Sequence, residues 1–337
     1  MKSFEEFKTY IEEQLKDDLD ALEQRRFKMR YWRGRLGGIL LGITTLSWAL
    51  AYLYGNVSLY IILGTVAITA PIVYYVYQKY FLDESIPENF KDLIVKNLIT
   101  FVDPSLSYYP EDFVPYDDFE ASKLFMLKPD NYYGDDLIKG EIEGVAVQFS
   151  ELHVEYEAKE KPKKNFLINK EKPNWKSIFD GLFLVADCPV DFKGNIFILD
   201  DNLYEKLGHL GTLVQKHHFY YGQYILPVNH KFRDKFVVYA EDKLEGERLL
   251  SEAFMQKILK LKTNSKSRVF ISIKDGKIYV AVNMKREIFK VNLNKSLSKA
   301  EHIRSFYNDL YYMLTVIDDL NADQFLESSQ SGANSIE

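Results

Sequence analysis

Apolar positions divide the chain into four stretches with different rhythms. In the first, Phe4, Phe7, Ile11, Leu15, Leu19 and Leu22 return every three or four residues, the period of one helix face. Ser3, with Glu6 three residues on, supplies a capping box at its start. Residues 1–35 are therefore expected as an amphipathic cytoplasmic helix, acidic up to Glu23 and basic from Arg25. Two placements of its apolar stripe stay open: against the body of the same chain, or against another chain.

In the second stretch the periodicity gives way to an uninterrupted apolar run. From Leu36 to Gln78 there is no Asp, Glu, Lys or Arg. As one helix this run would extend about 65 Å, twice the thickness of a hydrocarbon core. Gly55 and Asn56 stand at its middle, so the pattern predicts a transmembrane helical hairpin over 36–78, with spans at about 36–54 and 58–78. Tyr52, Tyr54 and Tyr60 gather at one end of the spans, and Tyr31, Trp32, Tyr74, Tyr75 and Tyr77 at the other, as aromatic belts do. Arg25, Arg26, Lys28, Arg30, Arg33 and Arg35 precede the first span and Lys79 follows the second. The lysine and arginine bias thus puts both termini on the cytoplasmic side. Gly34, Gly38 and Gly42 recur every fourth residue, and Gly64 begins a small-residue face on the second span; both are candidate helix-packing surfaces.

The third stretch, 85–320, mixes both periods. A helix is expected from Pro87 to Val102, then an irregular aromatic-rich segment to Asp136. Leu137–Ile142 and Val145–Tyr156 read as a β-hairpin turned at Glu143 and Gly144. Further strands are expected at Ile178–Ala186, Asn195–Leu199 and Phe236–Ala240, and a helix at Leu244–Leu261. Arg268–Ile273 and Lys277–Val282 form a second hairpin at Asp275 and Gly276. A last helix runs from Ser298 to Leu320, with Ser298 and Glu301 as its capping box. Tight turns between strands imply antiparallel pairing, so the fold class is α+β: the two-helix hairpin plus a cytoplasmic domain of antiparallel β-hairpins and flanking helices. The fourth stretch, 321–337, is small and polar and is expected to be a disordered tail.

Composition narrows the function classes. Aromatic residues make up 15% of the 337 positions, enough for a substantial core. A formal charge of −6 argues against a nucleic-acid binder, which needs a concentrated basic surface. The single cysteine, Cys188, rules out an intrachain disulfide and suits a reducing compartment. No cofactor motif is present: CxxC, HExxH, GxSxG and the kinase signatures are all missing.

The one polar constellation at strand spacing is Glu151, His153, Glu155 and Glu157, which alternate onto one face while Leu152, Val154 and Tyr156 take the other. A histidine flanked by carboxylates can bind a divalent metal or act as a general base, which makes Glu151, His153 and Glu155 the catalytic candidates; an exposed sheet face carries the same pattern. His217 and His218 are adjacent and point to opposite faces of a strand. His209 sits in a loop without the spacing of a phosphate site.

Gly134-Asp135-Asp136, Phe149-Ser150-Glu151-Leu152-His153, Ile178-Phe179-Asp180-Gly181-Leu182-Phe183, Phe192-Lys193-Gly194 and Phe236-Val237-Val238-Tyr239 together resemble the bacterial domain of unknown function 3137 family, sometimes labelled galanin-like. The resemblance spans about Ser85 to Leu320 and includes the layout of the preceding membrane hairpin. It implies no assigned activity and no catalytic positions, and suggests a shared envelope role with LemA-type membrane proteins. The expectation is therefore an integral protein of a bacterial plasma membrane acting as a noncatalytic scaffold. Its partners would be membrane lipid and a protein partner or second copy, with no nucleic acid. Two alternatives stay open: a membrane-tethered enzyme or metal-binding protein using Glu151, His153 and Glu155, and a sensor of anionic lipid.

Overall fold

The computed structural model describes residues 2–53, 64, 67, 69–72, 74–75, 77, 85–158, 173–188, 194–200, 220–284 and 286–320. The lysine-rich stretch 159–172, the histidines at 209, 217 and 218, the segment 321–337 and most of the expected second membrane span lie outside these residues. The described chain is α+β, with one large antiparallel sheet and several helices. It divides into two compact units, one of residues 1–98 with 289–307, the other of 99–288 with 308–337.

The first unit is helical. α1 (Phe4–Gln14) opens with the capping box expected from Ser3 and Glu6, each side chain accepting from the other residue's backbone N–H. At Leu15 the backbone leaves helical geometry for one residue, and α2 (Lys16–Leu53) takes over, so the amphipathic stretch is two helices in line. Phe4, Phe7, Ile11, Leu15, Leu19 and Leu22 are all buried. The stripe is covered by its own chain. Phe4 and Phe7 pack on Tyr307, Tyr10 donates to Asn97 on α3 (Ser85–Val102), and the Tyr307 hydroxyl donates to the Lys2 carbonyl. Farther along α2, Glu23 and Arg26 hold the segment before the last helix: Glu23 accepts from Leu297 N, and Arg26 donates to Leu293 O. The N-terminal helix expected as a separate 1–35 element thus shares its unit with α3 and residues 289–307.

Among the described residues no helix is long and apolar enough to cross a membrane. The expected transmembrane hairpin has no support there. A Cβ built on Gly38, Gly42 or Gly64 would meet nothing within 4 Å, so no helix is seen packing on these glycines among the described residues.

The second unit is built on a nine-stranded sheet in which every neighbouring pair is antiparallel. Its strands are β1 (Ser107–Tyr109), β2 (Asn131–Ile142), β3 (Val145–Glu157), β4 (Trp175–Asp187), β5 (Ile196–Asp200), β6 (Gln223–Ile225), β7 (Phe236–Ala240), β8 (Val269–Lys274) and β9 (Lys277–Asn283). They lie in the order β1-β2-β3-β4-β9-β8-β5-β7-β6. Both edges are three-residue strands, short enough to offer little template for pairing with another chain. Alternation fills both faces. Leu152, Val154, Phe179, Phe183, Phe197, Phe270 and Tyr279 join a core with Val114, Phe119 and Leu124, while Leu182, Leu184, Ile198, Ile271 and Val280 are buried on the opposite side.

Several expected bounds shift for identifiable reasons. The segment to Asp136, read as irregular, contains β1, a short helix α4 (Tyr116–Ala121) and the first half of β2. A bulge between Asp135 and Ile138, with Asp136 at φ 62°, interrupts the alternation that would have revealed that strand. The helix expected over Leu244–Leu261 is two, α6 (Lys243–Leu249) and α7 (Glu252–Ser265), which follow a four-residue turn, α5 (His230–Arg233). Ser251 breaks it, because its hydroxyl accepts from Phe254 N and starts a new helix. The last helix, α8 (Ala300–Leu320), begins two residues late. Ser298 sits in the preceding turn, its hydroxyl 3.1 Å from that of Ser296, and does not cap it. Cys188 is half-buried, its N–H donating to Gly276 O.

Candidate functional site

β2, β3 and β4 are the longest strands, and antiparallel register brings polar residues from all three onto one face. Asp135 stands opposite Glu151, Tyr133 opposite His153, and His153 opposite Asp180 on its other side. Two glycines let the strands close. A Cβ at Gly134 would lie 2.2 Å from the Glu151 carbonyl oxygen; one at Gly181 would lie 2.3 Å from Val282 O and 2.4 Å from Met284 N. Gly181 also adopts φ +143°, a backbone state that side chains disfavour. Next to it, the Asp180 carbonyl accepts from Met284 N at 2.9 Å, which fixes where the Asp180 side chain leaves the strand.

Glu151 is the buried member of the set, 3% exposed. A carboxylate there needs polar partners, and Ile288 N donates to its Oε2 at 2.7 Å. His153 is a quarter exposed. Its Nδ1 lies 2.9 Å from Asp180 Oδ1, its Nε2 lies 3.8 Å from Glu151 Oε1, and its ring stacks on Tyr133 with centroids 5.0 Å apart. Burial, followed by the charges of Glu155 and Asp180, pushes the Tyr133 phenol above its ordinary value.

Carboxylates gather around this pair. Glu151, His153 and Asp180 each bring a ligand atom within 4.8 Å of the others, and Asp135, Asp136 and Glu151 do the same. Asp136 is buried and accepts from the Tyr108 hydroxyl at 2.6 Å. Arg286, which feels the charge of Glu151, grips Asp309 through two nitrogens. That contact, opposed by burial and helped by the charge of Glu151, raises its pKa above the ordinary arginine value.

Of the three residues expected to form a site, Glu151 and His153 come together. Glu155 does not join them: Asn131 donates to its Oε2 at 3.2 Å. A register shift between Val154 and Glu155 separates it from the pairing that aligns His153 with Asp180. Asp180, Asp135 and Asp136 complete the cluster, and strand periodicity gave no hint of them. Both Gly134-Asp135-Asp136 and Asp180-Gly181 carry glycines inside strands, the one local signal that another backbone passes close by.

Residues 177–322 match the model of a family described as "Protein of unknown function (DUF3137)". No curated protein matches the chain. One similar solved structure is the "crystal structure of the mycobacterial trehalose monomycolate transport factor A, TtfA", at 9% identity and a TM-score of 0.31, over 67% of this chain and 95% of that one. A likeness at that level bears on neither fold nor function here.

Proposed function

We propose that this chain, whose residues 177–322 match the DUF3137 family model, is a membrane-anchored, noncatalytic interaction or scaffold module. Its α+β body works at the cytoplasmic face of a bacterial plasma membrane. The observation that carries the reading is the exposed apolar stripe of α2. Ile39, Ile43, Leu46, Leu50 and Leu53 follow one another at steps of four and three residues and are all exposed, Leu46 at 62% and Leu53 at 76%. A helix in water turns such a stripe inward, as the first turns of α2 do with Leu19, Leu22 and Met29. From Leu36 onward the helix has no charged residue with which to face water.

The flanks support the same placement. Phe27, Tyr31 and Trp32 are exposed among Arg25, Lys28 and Arg30, the mixture of aromatic and cationic side chains that settles at a headgroup layer. Tyr74, Tyr75 and Tyr77 are exposed as well. A two-span anchor with no ionisable residue inside it suits attachment rather than transport.

The test is fractionation of the full-length protein with a C-terminal epitope. It stays in the membrane pellet after an alkaline carbonate wash, and added protease removes the epitope only once the cells are opened. Release by carbonate, or digestion of the epitope in intact spheroplasts, overturns the proposal. The scaffold role is read from detergent extracts of native membranes, where a stoichiometric protein companion or a defined homo-oligomer is expected. A monomer without companions refutes that part.

A further inference from the structure

We infer that Glu151 and His153 hold one divalent transition-metal ion between Glu151 Oε1 and His153 Nε2, with Asp180 orienting the imidazole through Nδ1. The inference stands apart from the membrane reading and rests on three relationships among these side chains.

The first is distance. Glu151 Oε1 and His153 Nε2 are 3.8 Å apart, beyond hydrogen-bonding range. Two ligands of one ion, each about 2.1 Å from it, stand roughly 3.5 Å apart at a tetrahedral angle. The gap is therefore too wide for a shared proton and close to what a shared ion requires.

The second is the tautomer. Asp180 Oδ1, 2.9 Å from Nδ1, accepts a hydrogen bond from that nitrogen. With Nδ1 committed to Asp180, Nε2 is the ring nitrogen that faces Glu151 Oε1. A cation placed between the two atoms satisfies both at once. A carboxylate on the far nitrogen of a histidine is also the arrangement that fixes the ring and raises its basicity at metal centres.

The third is the electrostatic setting. Glu151 is almost wholly buried, and Ile288 N holds its Oε2 oxygen, which aims Oε1 at His153. Asp135 and Asp136 bring further carboxylate oxygens within 4.8 Å of Glu151, while the Arg286 guanidinium is gripped by Asp309. An imidazole with carboxylates suits zinc, manganese(II) or iron(II) better than calcium or magnesium, which favour oxygen alone.

The experiment uses the full chain, purified in detergent and stripped with a chelator, then dialysed against zinc chloride alone. About one zinc per chain is expected, and cobalt(II) in its place gives a visible absorption band. Glu151→Gln and His153→Gln each weaken zinc binding by roughly a hundredfold, Asp180→Asn by roughly tenfold as an orienting residue does, and Glu155→Gln leaves it unchanged. Thermal melts of each variant identify those that remain folded; Asp180, half-exposed, is the position that best tolerates change. Failure of the wild-type protein to take up zinc overturns the inference. So does zinc binding that is the same in folded His153→Gln and Asp180→Asn as in the wild type.

Discussion

Glu23 and Arg26, one turn apart on α2, form a two-pronged ion pair that also grips the loop before α8. Arg26 Nε and Nη2 donate to the two Glu23 oxygens, Glu23 Oε2 accepts from Leu297 N at 2.9 Å, and Arg26 Nη1 donates to Leu293 O at 3.1 Å. These contacts, led by the Arg26 hydrogen bond, hold the Glu23 carboxyl down at about 2.

A depressed carboxylate pKa sets the sign of a pH effect. The unfolded chain binds the proton first, so the contribution of Glu23 is complete above about 4.5 and is lost as pH falls toward about 2. Discounted for the solvent that still screens this carboxylate, its size is about 1 kcal/mol. Glu23→Gln is expected to lower stability at neutral pH and to flatten the acid limb of the stability curve, as measured by denaturant titration from pH 6 to 2.5.

At Gly181 a side chain has no room. The residue adopts φ +143°, and a Cβ would press on Val282 O and Met284 N, both backbone atoms that cannot rotate away. Gly181→Ala is expected to cost about 3 kcal/mol or more through strain and forced separation of β4 from β9. Chemical denaturation followed by far-ultraviolet circular dichroism reads the loss.

Asp200 has no exposed surface and meets the Lys262 ammonium, while Val269 N donates to the same carboxylate oxygen. Lys262→Ala strips the cation from a buried carboxylate and is expected to destabilise the chain by about 3 kcal/mol. Asp200→Asn combined with Lys262→Met recovers most of that, since a neutral amide still accepts from Val269 N and methionine fills the lysine's path. Recovery is checked by comparing the melting temperatures of the single and double variants.

Ser251 both ends one helix and starts the next. Ser251→Ala removes the acceptor for Phe254 N and is expected to cost about 1 kcal/mol. Ser251→Asp, which keeps an acceptor at the same place, is expected to stay within a few tenths of the wild type in the same denaturation assay.

Much of the fold was legible where a local rule applied. Phe236–Ala240 coincides with β7, and both tight hairpins turn where Glu143-Gly144 and Asp275-Gly276 stand, each pair at positive φ. The capping box at Ser3 and Glu6 formed; the one expected at Ser298 and Glu301 did not, because the spacing alone does not say where the chain enters a helix. The candidate site was legible only along β3. Glu151 and His153 share a face by strand alternation, but the same alternation also nominated Glu155, which the register shift beside it sets apart.

The sequence by itself determined the elements that depend on nearest neighbours: the capped first helix, the hairpin turns, the alternating strands and the charge-free stretch from Leu36 to Gln78. Tertiary structure decided what depends on partners far along the chain. Thus β4 pairs with β9, Asp180 arrives beside His153, and Phe4 and Phe7 at the start of the apolar stripe pack on Tyr307. The physical reason is that side-chain spacing fixes which face a residue takes, whereas the residue it meets there depends on sheet order and register, which only packing of the whole chain selects.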